Sequence, residues 1–229
     1  LTEAVFRASA RPNRPPAPAP APAPSRPGER VDPLFDTVVA TADGVRCRLC
    51  LTSQDAFLRD HTLSGHIQEP SARGLAVVPF AMSLELAAQA ALRLQDEAKI
   101  VIGFRAANGH AWLALDQDRL DLEFVVRRAG AGVADVDLCG SEADGAGTAF
   151  SVRVLLSDAY PAPPPVGSVS PRDLVREACR LPIDTYRAEW LFHGPTFDIL
   201  RRLDGWSQTG LRMDIEQPRT DWIERAGRV

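Results

Sequence analysis

The chain has 229 residues, a formal net charge of −4, and 45% hydrophobic against 24% charged residues. At roughly 100–200 residues per domain this is enough for one large or two small cores, and the ordinary globular balance excludes a wholly disordered or fibrous chain. No apolar run reaches the roughly 18 residues of a spanning helix, and no basic-then-apolar leader opens the sequence, so neither a membrane span nor an export signal is expected. The acidic balance, without any basic block, argues against nucleic acid as a partner.

Residues 12–27 hold eight prolines, six of them between Pro15 and Pro24. Such a run is extended, solvated and semi-rigid, the character of a spacer between folded units. The stub before it reads as the last helical turns of a preceding unit. Residues 1–30 are therefore expected to be the end of an upstream domain and a Pro/Ala-rich linker within a multidomain protein.

The globular pattern begins near residue 31. Val45–Thr52 alternates apolar with polar or basic residues and predicts a strand. Cys47 and Cys50 lie on it, and residues three apart on a strand face opposite sides, so the pair cannot share a metal ion. No second Cys or His pair supplies the missing ligands, and no metal site is expected. Gln54–Asp60 reads as a short helical turn.

Pro79–Asp96 carries the clearest helix signal, with Pro79 suited to the first helical position, where its missing N–H has no intrahelical partner to lose. Phe80, Leu84, Ala87, Ala88, Ala91 and Leu94 fall on one predicted buried face, with Ser83, Glu85, Gln89 and Arg93 largely off it. The many alanines let a sheet wrap closely around this helix. Four strands are predicted after it, at Lys99–Arg105, Asp121–Arg127, Val133–Cys139 and Phe150–Leu156. Gly- and Asp-rich breaks separate them, as in an antiparallel meander.

A long apolar helix followed by a meander predicts an α+β unit over residues 31–160, a sheet wrapped around a central helix. Pro161–Pro165 is a second proline break. Beyond it a helix is predicted from Ser170 through Cys179, then an aromatic turn from Trp190 to Phe197 and a strand at Gly210–Ile215. Residues 161–229 are expected to be a linker and the start of a second unit, too short to copy the first.

Two motifs carry the chemistry. The first is Asp60-His61-Thr-Leu-Ser-Gly65, followed through Gly74 to the Pro79 helix; the second is Tyr186-Arg-Ala-Glu-Trp-Leu-Phe-His193-Gly-Pro-Thr-Phe197. The first resembles the His-x-x-x-Gly-x-x-x-x-Pro motif of the dehydratase domains of type I polyketide synthases and related fatty-acid synthases. His61, Gly65 and Pro70 satisfy the literal spacing, whereas Pro79 has the helix behind it and matches the family's helix-opening proline across an insertion. The second motif is similar to the Gly-Pro-x-Phe segment that opens the family's second half, with His193 where many members have Tyr. In this order the matches span roughly residues 33–215.

The resemblance implies a double hot-dog fold, its second half incomplete in this chain. It also implies removal of water from a β-hydroxyacyl chain carried on the phosphopantetheine arm of an acyl carrier protein, giving an α,β-unsaturated thioester. No bound cofactor is implied. The implied partners are that carrier and neighbouring synthase domains, with a homodimer common in the family and the cytoplasm as the setting. A neutral imidazole suits abstraction of the C2 proton. A helix N-terminus suits the negative charge that collects on the thioester carbonyl. On this implication His61 is the general base, Gly65 lets the backbone approach the acyl chain, Pro79 marks the dipole end, and His193 and Phe197 line the acyl pocket. Two plainer readings stay open: His61 as a hydrogen-bonded structural histidine, and His193 as a cap of its turn. His66 and His110, without comparable context, are expected at the surface.

The family's second catalytic group is an Asp in an Asp-x-x-x-Gln or Asp-x-x-x-His motif that protonates the departing hydroxyl. The literal match is Asp204-Gly-Trp-Ser-Gln208, where the family runs a strand and Asp-Gly itself reads as a hairpin turn. A second candidate is Glu224 in Trp222-Ile-Glu-Arg-Ala-Gly-Arg228. Asp204 has the spacing but the wrong place, and Glu224 arrives too early with the wrong groups, so the acid partner is expected beyond Val229 or in residues missing from this chain. A catalytically inactive, architectural dehydratase-like domain is thus the alternative reading, and isomerisation or thioester hydrolysis on a related fold is a third.

Overall fold

The computed structural model describes residues 32–63, 74–94, 99–115, 119–140, 147–163, 193–207 and 210–216. The expected stub and linker, the Ser170 helix, Gly65, His66, Pro70 and Glu224 lie outside the described residues.

Six strands form one antiparallel sheet: β1 (Thr37–Ala40), β2 (Gly44–Thr52), β5 (Ile100–Gly109), β7 (Arg119–Gly130), β8 (Val133–Cys139) and β9 (Thr148–Ser157). Their spatial order is β1-β2-β7-β8-β9-β5. Strands β7 to β9 form the expected meander. β5, the first long strand after the helix, departs from it and crosses to the far edge beside β9. The sheet curves around α2 (Phe80–Leu92), which packs on β5, β7, β8 and β9. This is the expected α+β arrangement, a sheet wrapped around a central helix.

Period-two alternation decides which side chains enter the core. On β2, Val45, Cys47, Leu49 and Leu51 are buried between Arg46, Arg48 and Cys50. On β7, Leu120, Leu122, Phe124 and Val126 point the same way, in unbroken register from Gly44↔Arg127 to Thr52↔Arg119. The outer face carries cross-strand ion pairs, Glu123 with Arg46 and Arg48, and Asp135 with Arg153. Such exposed pairs add little stability, but they keep this face wet and set the register. At the β7–β8 turn Gly132 adopts φ +65°, and a Cβ there would stand 2.5 Å from the Leu156 carbonyl oxygen. Only glycine fits that turn.

Cys47 and Cys50 occupy opposite faces of β2, as the strand reading requires. Cys47 is fully buried, and that burial pushes its thiol up to about 12. A thiol held protonated reacts poorly. In the folded protein at mildly alkaline pH, iodoacetamide is expected to modify Cys50 and Cys139 well before Cys47, which should label only in denaturant. Peptide mapping that finds all three modified at one rate would contradict the packing of β2.

The helix differs from expectation at both ends. Pro79 is the residue before the first turn, not within it: φ is −58° but ψ is 145°, and its carbonyl accepts the Ser83 N–H at 3.0 Å. The ring suits either position, and the extended ψ is the entry from the strand before it. The helix stops at Leu92 rather than continuing to Asp96. Arg93 donates to Asp32 at 2.7 Å and lies 5.6 Å over the Phe35 ring, so the start of the globular chain straps across the helix end. Burial alone would raise the Asp32 carboxyl, but Arg93 and the N–H groups of Phe35 and Leu34 hold it below the usual carboxylate range.

The buried set also differs. Met82, Ser83, Leu86 and Ala90 join Ala87, Ala88 and Ala91 inside, while Phe80 is 51% exposed and Leu84 half-buried. The wrapped sheet covers most of the helix circumference beyond its first turn, so a one-face prediction is too narrow. Phe80 instead meets Phe150 edge-on, with ring centroids 5.3 Å apart, at the mouth of the sheet.

Short pieces complete the unit. α1 (Ala56–Arg59) falls within the expected helical turn. β3 (Thr62–Leu63), β4 (Leu75–Val77) and β6 (Ala114–Leu115) form a small antiparallel sheet, β4 in the middle. From residues 161–229 the described parts are a 3-10 turn at Pro195–Phe197 and the hairpin of β10 (Leu200–Ser207) and β11 (Gly210–Ile215). Asp204 does not make the hairpin turn that Asp-Gly suggests. It lies inside β10 at a register irregularity between Leu203 and Gly205, and the strands reverse only after Ser207↔Gly210. Among the described residues no helix is long and apolar enough to cross a membrane.

Candidate active site

His61 follows α1 directly. Its N–H donates to the Leu58 carbonyl at 3.2 Å, and its own carbonyl accepts the Val77 N–H at 3.2 Å. Its ring Nδ1 lies 2.9 Å from the Val77 carbonyl oxygen. A carbonyl can only accept, so Nδ1 must carry the hydrogen, and in the neutral ring Nε2 then keeps the lone pair. Val77 is buried and ends β4, and Val78 and Pro79 lead from it straight into α2. The strand that orients the imidazole is thus the one that delivers the helix N-terminus. The first N–H groups of that helix have no intrahelical acceptors and carry its positive end.

The second motif closes on His61 from the other side. The His193 ring lies 5.2 Å from the His61 ring and 5.5 Å from Phe197, and Phe197 lies 5.8 Å from His61 edge-on. Three of the predicted site residues therefore form one ring cluster. Burial first, and then the neighbouring His61, push His193 below the ordinary histidine value. His193 thus tends to stay neutral beside His61.

Asp60, at the end of α1, ties these halves together and was not singled out from the sequence. It is only 7% exposed. One carboxylate oxygen accepts the backbone N–H of Thr196 at 2.8 Å together with the Thr196 hydroxyl, and the other accepts Arg59 Nε at 3.0 Å. Its carbonyl accepts the Gly194 N–H at 2.7 Å. Burial would raise this carboxyl, but the bonds from Thr196 and Arg59 prevail and hold it below the usual carboxylate range. The available signal was local: an acid beside the motif histidine, and a Gly-Pro-Thr turn whose glycine suggests a close approach.

That glycine is required by space. A Cβ at position 194 would stand 2.8 Å from both Cβ and Cγ of Asp60. Gly194→Ala is expected to push the turn off α1 and cost about 1–3 kcal/mol, the usual range for overpacking. Urea unfolding checks this; an unchanged midpoint and slope would contradict the close approach.

A cleft of about 350 Å³ opens at the N-terminal end of α2, walled largely by Val77, Val78, Phe80, Trp112, Leu113 and Phe150. That size and apolar lining suit a small organic chain. His110, exposed as expected, sits on its rim with Nε2 2.9 Å from the Ser151 hydroxyl. Among the described residues no cluster of His, Cys, Asp or Glu could hold a metal ion.

No family model and no curated protein sequence matches the chain. Solved structures do. The dehydratase domain from the CurF module of the curacin polyketide synthase is 15% identical with a TM-score of 0.62, over 82% of this chain and 67% of that one. A trans-AT polyketide synthase dehydratase domain from Brevibacillus brevis is also 15% identical, with a TM-score of 0.58 over 82% and 69% of the respective chains. The curacin CurK dehydratase domain gives 15% and 0.57 over 76% of this chain but 61% of its own. At these identities the likeness establishes the fold, the hot-dog fold of these dehydratase domains, over about two thirds of their length.

Proposed function

We propose that this chain is part of a dehydratase that removes water from a β-hydroxyacyl thioester carried on the phosphopantetheine of an acyl carrier protein. The observation that carries the reading is the hydrogen bond from His61 Nδ1 to the Val77 carbonyl. It puts the hydrogen on Nδ1 and the lone pair on Nε2, and the strand that accepts the bond runs on into the start of α2. Nε2 takes the C2 proton of the substrate, and the electron pair moves toward the thioester carbonyl. The N–H groups at the first turn of α2 stabilise the oxyanion. Collapse of that charge forms the C2–C3 double bond and expels the C3 hydroxyl, which leaves as water once protonated. The acyl chain lies in the apolar cleft at the mouth of the sheet. Pro79 marks the helix end, and His193 and Phe197 wall the base; the role that the resemblance gives Gly65 falls outside the described residues.

The proton for the leaving hydroxyl does not come from Asp60, whose two oxygens already accept hydrogen bonds. Neither Asp204, within β10, nor Glu224, outside the described residues, is assigned that role. The second reading is a dehydratase-like domain kept for architecture among neighbouring synthase domains, as a homodimer in the cytoplasm. The test is incubation of the purified protein with a β-hydroxyacyl thioester on a carrier protein, read by mass spectrometry. Loss of one water from a chain still attached to the carrier supports dehydration. An unchanged substrate favours the architectural reading, and a released acid or a product of unchanged mass favours hydrolysis or isomerisation.

A further inference from the structure

The Asp60 clamp does more than close a loop. It joins two segments that are 136 residues apart in sequence. On the α1 side the next residue is His61. On the other side, Gly194 and Thr196 flank Pro195 and are themselves flanked by His193 and Phe197. Both rings that wall His61 therefore hang from the few residues that Asp60 holds. The clamp uses three hydrogen bonds: Gly194 N–H to the Asp60 carbonyl, and the Thr196 N–H and hydroxyl to one carboxylate oxygen. A buried carboxylate loses its water and needs such donors. Moving the turn off α1 would leave that carboxylate short of the Thr196 donors, so the turn is held where they reach it.

We propose that Asp60 is a positioning residue, whose carboxylate and carbonyl seat the Gly194–Phe197 turn on α1 and so hold the His193 and Phe197 rings against the His61 imidazole. It acts through that turn and not on substrate. Any effect on turnover rests on the dehydratase reading above, whereas the geometric effect does not.

The decisive variant is Asp60→Asn. An amide keeps the size but has a single acceptor oxygen, so either Thr196 or Arg59 must face an N–H donor instead. Thr196→Val removes only the hydroxyl bond and is the milder variant should Asp60→Asn fold poorly; Thr196→Ser restores both donors. In the whole protein, the ring signals of His61 and His193 are followed by two-dimensional nitrogen–proton NMR. In the wild type and in Thr196→Ser, His61→Asn should shift the His193 ring signals, because the rings are neighbours. That response should vanish in Asp60→Asn and weaken in Thr196→Val.

With a β-hydroxyacyl carrier substrate, kcat should fall about ten- to a hundred-fold in Asp60→Asn, the scale of a misplaced group near the chemistry, with KM changed less. Thr196→Ser should keep wild-type kcat. An undiminished His193 response in Asp60→Asn overturns the proposal, as does a lost response with unchanged kcat. If the wild type shows no dehydration, the dehydratase reading fails and the ring signals decide the clamp alone.

Discussion

His61→Ala is expected to lower kcat for dehydration by about a hundred- to ten-thousand-fold, the range that a positioned general base contributes. The informative companion is His61→Asn. The asparagine amide nitrogen occupies nearly the place of Nδ1 and can still donate to the Val77 carbonyl, which the imidazole does at 2.9 Å. It has nothing at the place of Nε2. If His61 served only to pin β4 to the end of α1, His61→Asn would keep the melting temperature and whatever turnover the protein has. If Nε2 is the base, His61→Asn keeps the melting temperature and loses the turnover as completely as His61→Ala. Circular dichroism melts and carrier-bound product analysis on the same preparations separate the two. Equal turnover by wild type and His61→Asn would remove His61 from the mechanism.

The fold of the first unit was legible wherever local periodicity carried it. Val133–Cys139 is observed with the predicted bounds, because Ala134, Val136 and Leu138 are buried and alternate with less buried residues, a pattern that has no helical reading. Prediction failed where the deciding partner is distant in sequence. Nothing in Ile100–Gly109 says that this strand pairs with β9 at the far edge, since the meander order is itself the simpler choice. Phe80 looks like a core residue because it is aromatic and on the apolar face. It is half exposed because the helix emerges from its wrapping there, beside the cleft.

Of the candidate site, the ring cluster was legible in the sequence and its support was not. His61, Pro79, His193 and Phe197 were found by motif, and the structure brings His61, His193 and Phe197 into ring contact. Asp60 was passed over because a charged residue at the end of a helical turn is ordinarily a solvated one. Its burial follows only from Gly194 and Thr196 arriving against it. A second acid could not be placed by spacing, and β10 runs through the one literal match, Asp204.

Phe124→Ala should cost about 3–5 kcal/mol, against the roughly 5–15 kcal/mol by which a folded domain is stable. Phe124 is fully buried on β7, faces Cys47 across β2 and Leu138 across β8, and meets Phe35 edge-on at 5.6 Å. Phe35 in turn sits under Arg93 at the end of α2. The ring therefore joins three strands to the strap that closes the helix. Strands held in register by hydrogen bonds on both sides cannot move in to fill the space it leaves, so the lost transfer energy and the cavity both count. Arg127→Ala, three residues on and exposed, is the control and should stay within about 0.5 kcal/mol. Urea unfolding followed by tryptophan fluorescence measures both. The ring cluster around His61 lies on other elements, so Phe124→Ala should keep near-normal kcat well below its own melting temperature. A loss of less than about 1 kcal/mol would mean that the sheet collapses onto the gap, and that the helix is gripped less tightly than its alanine-lined packing requires.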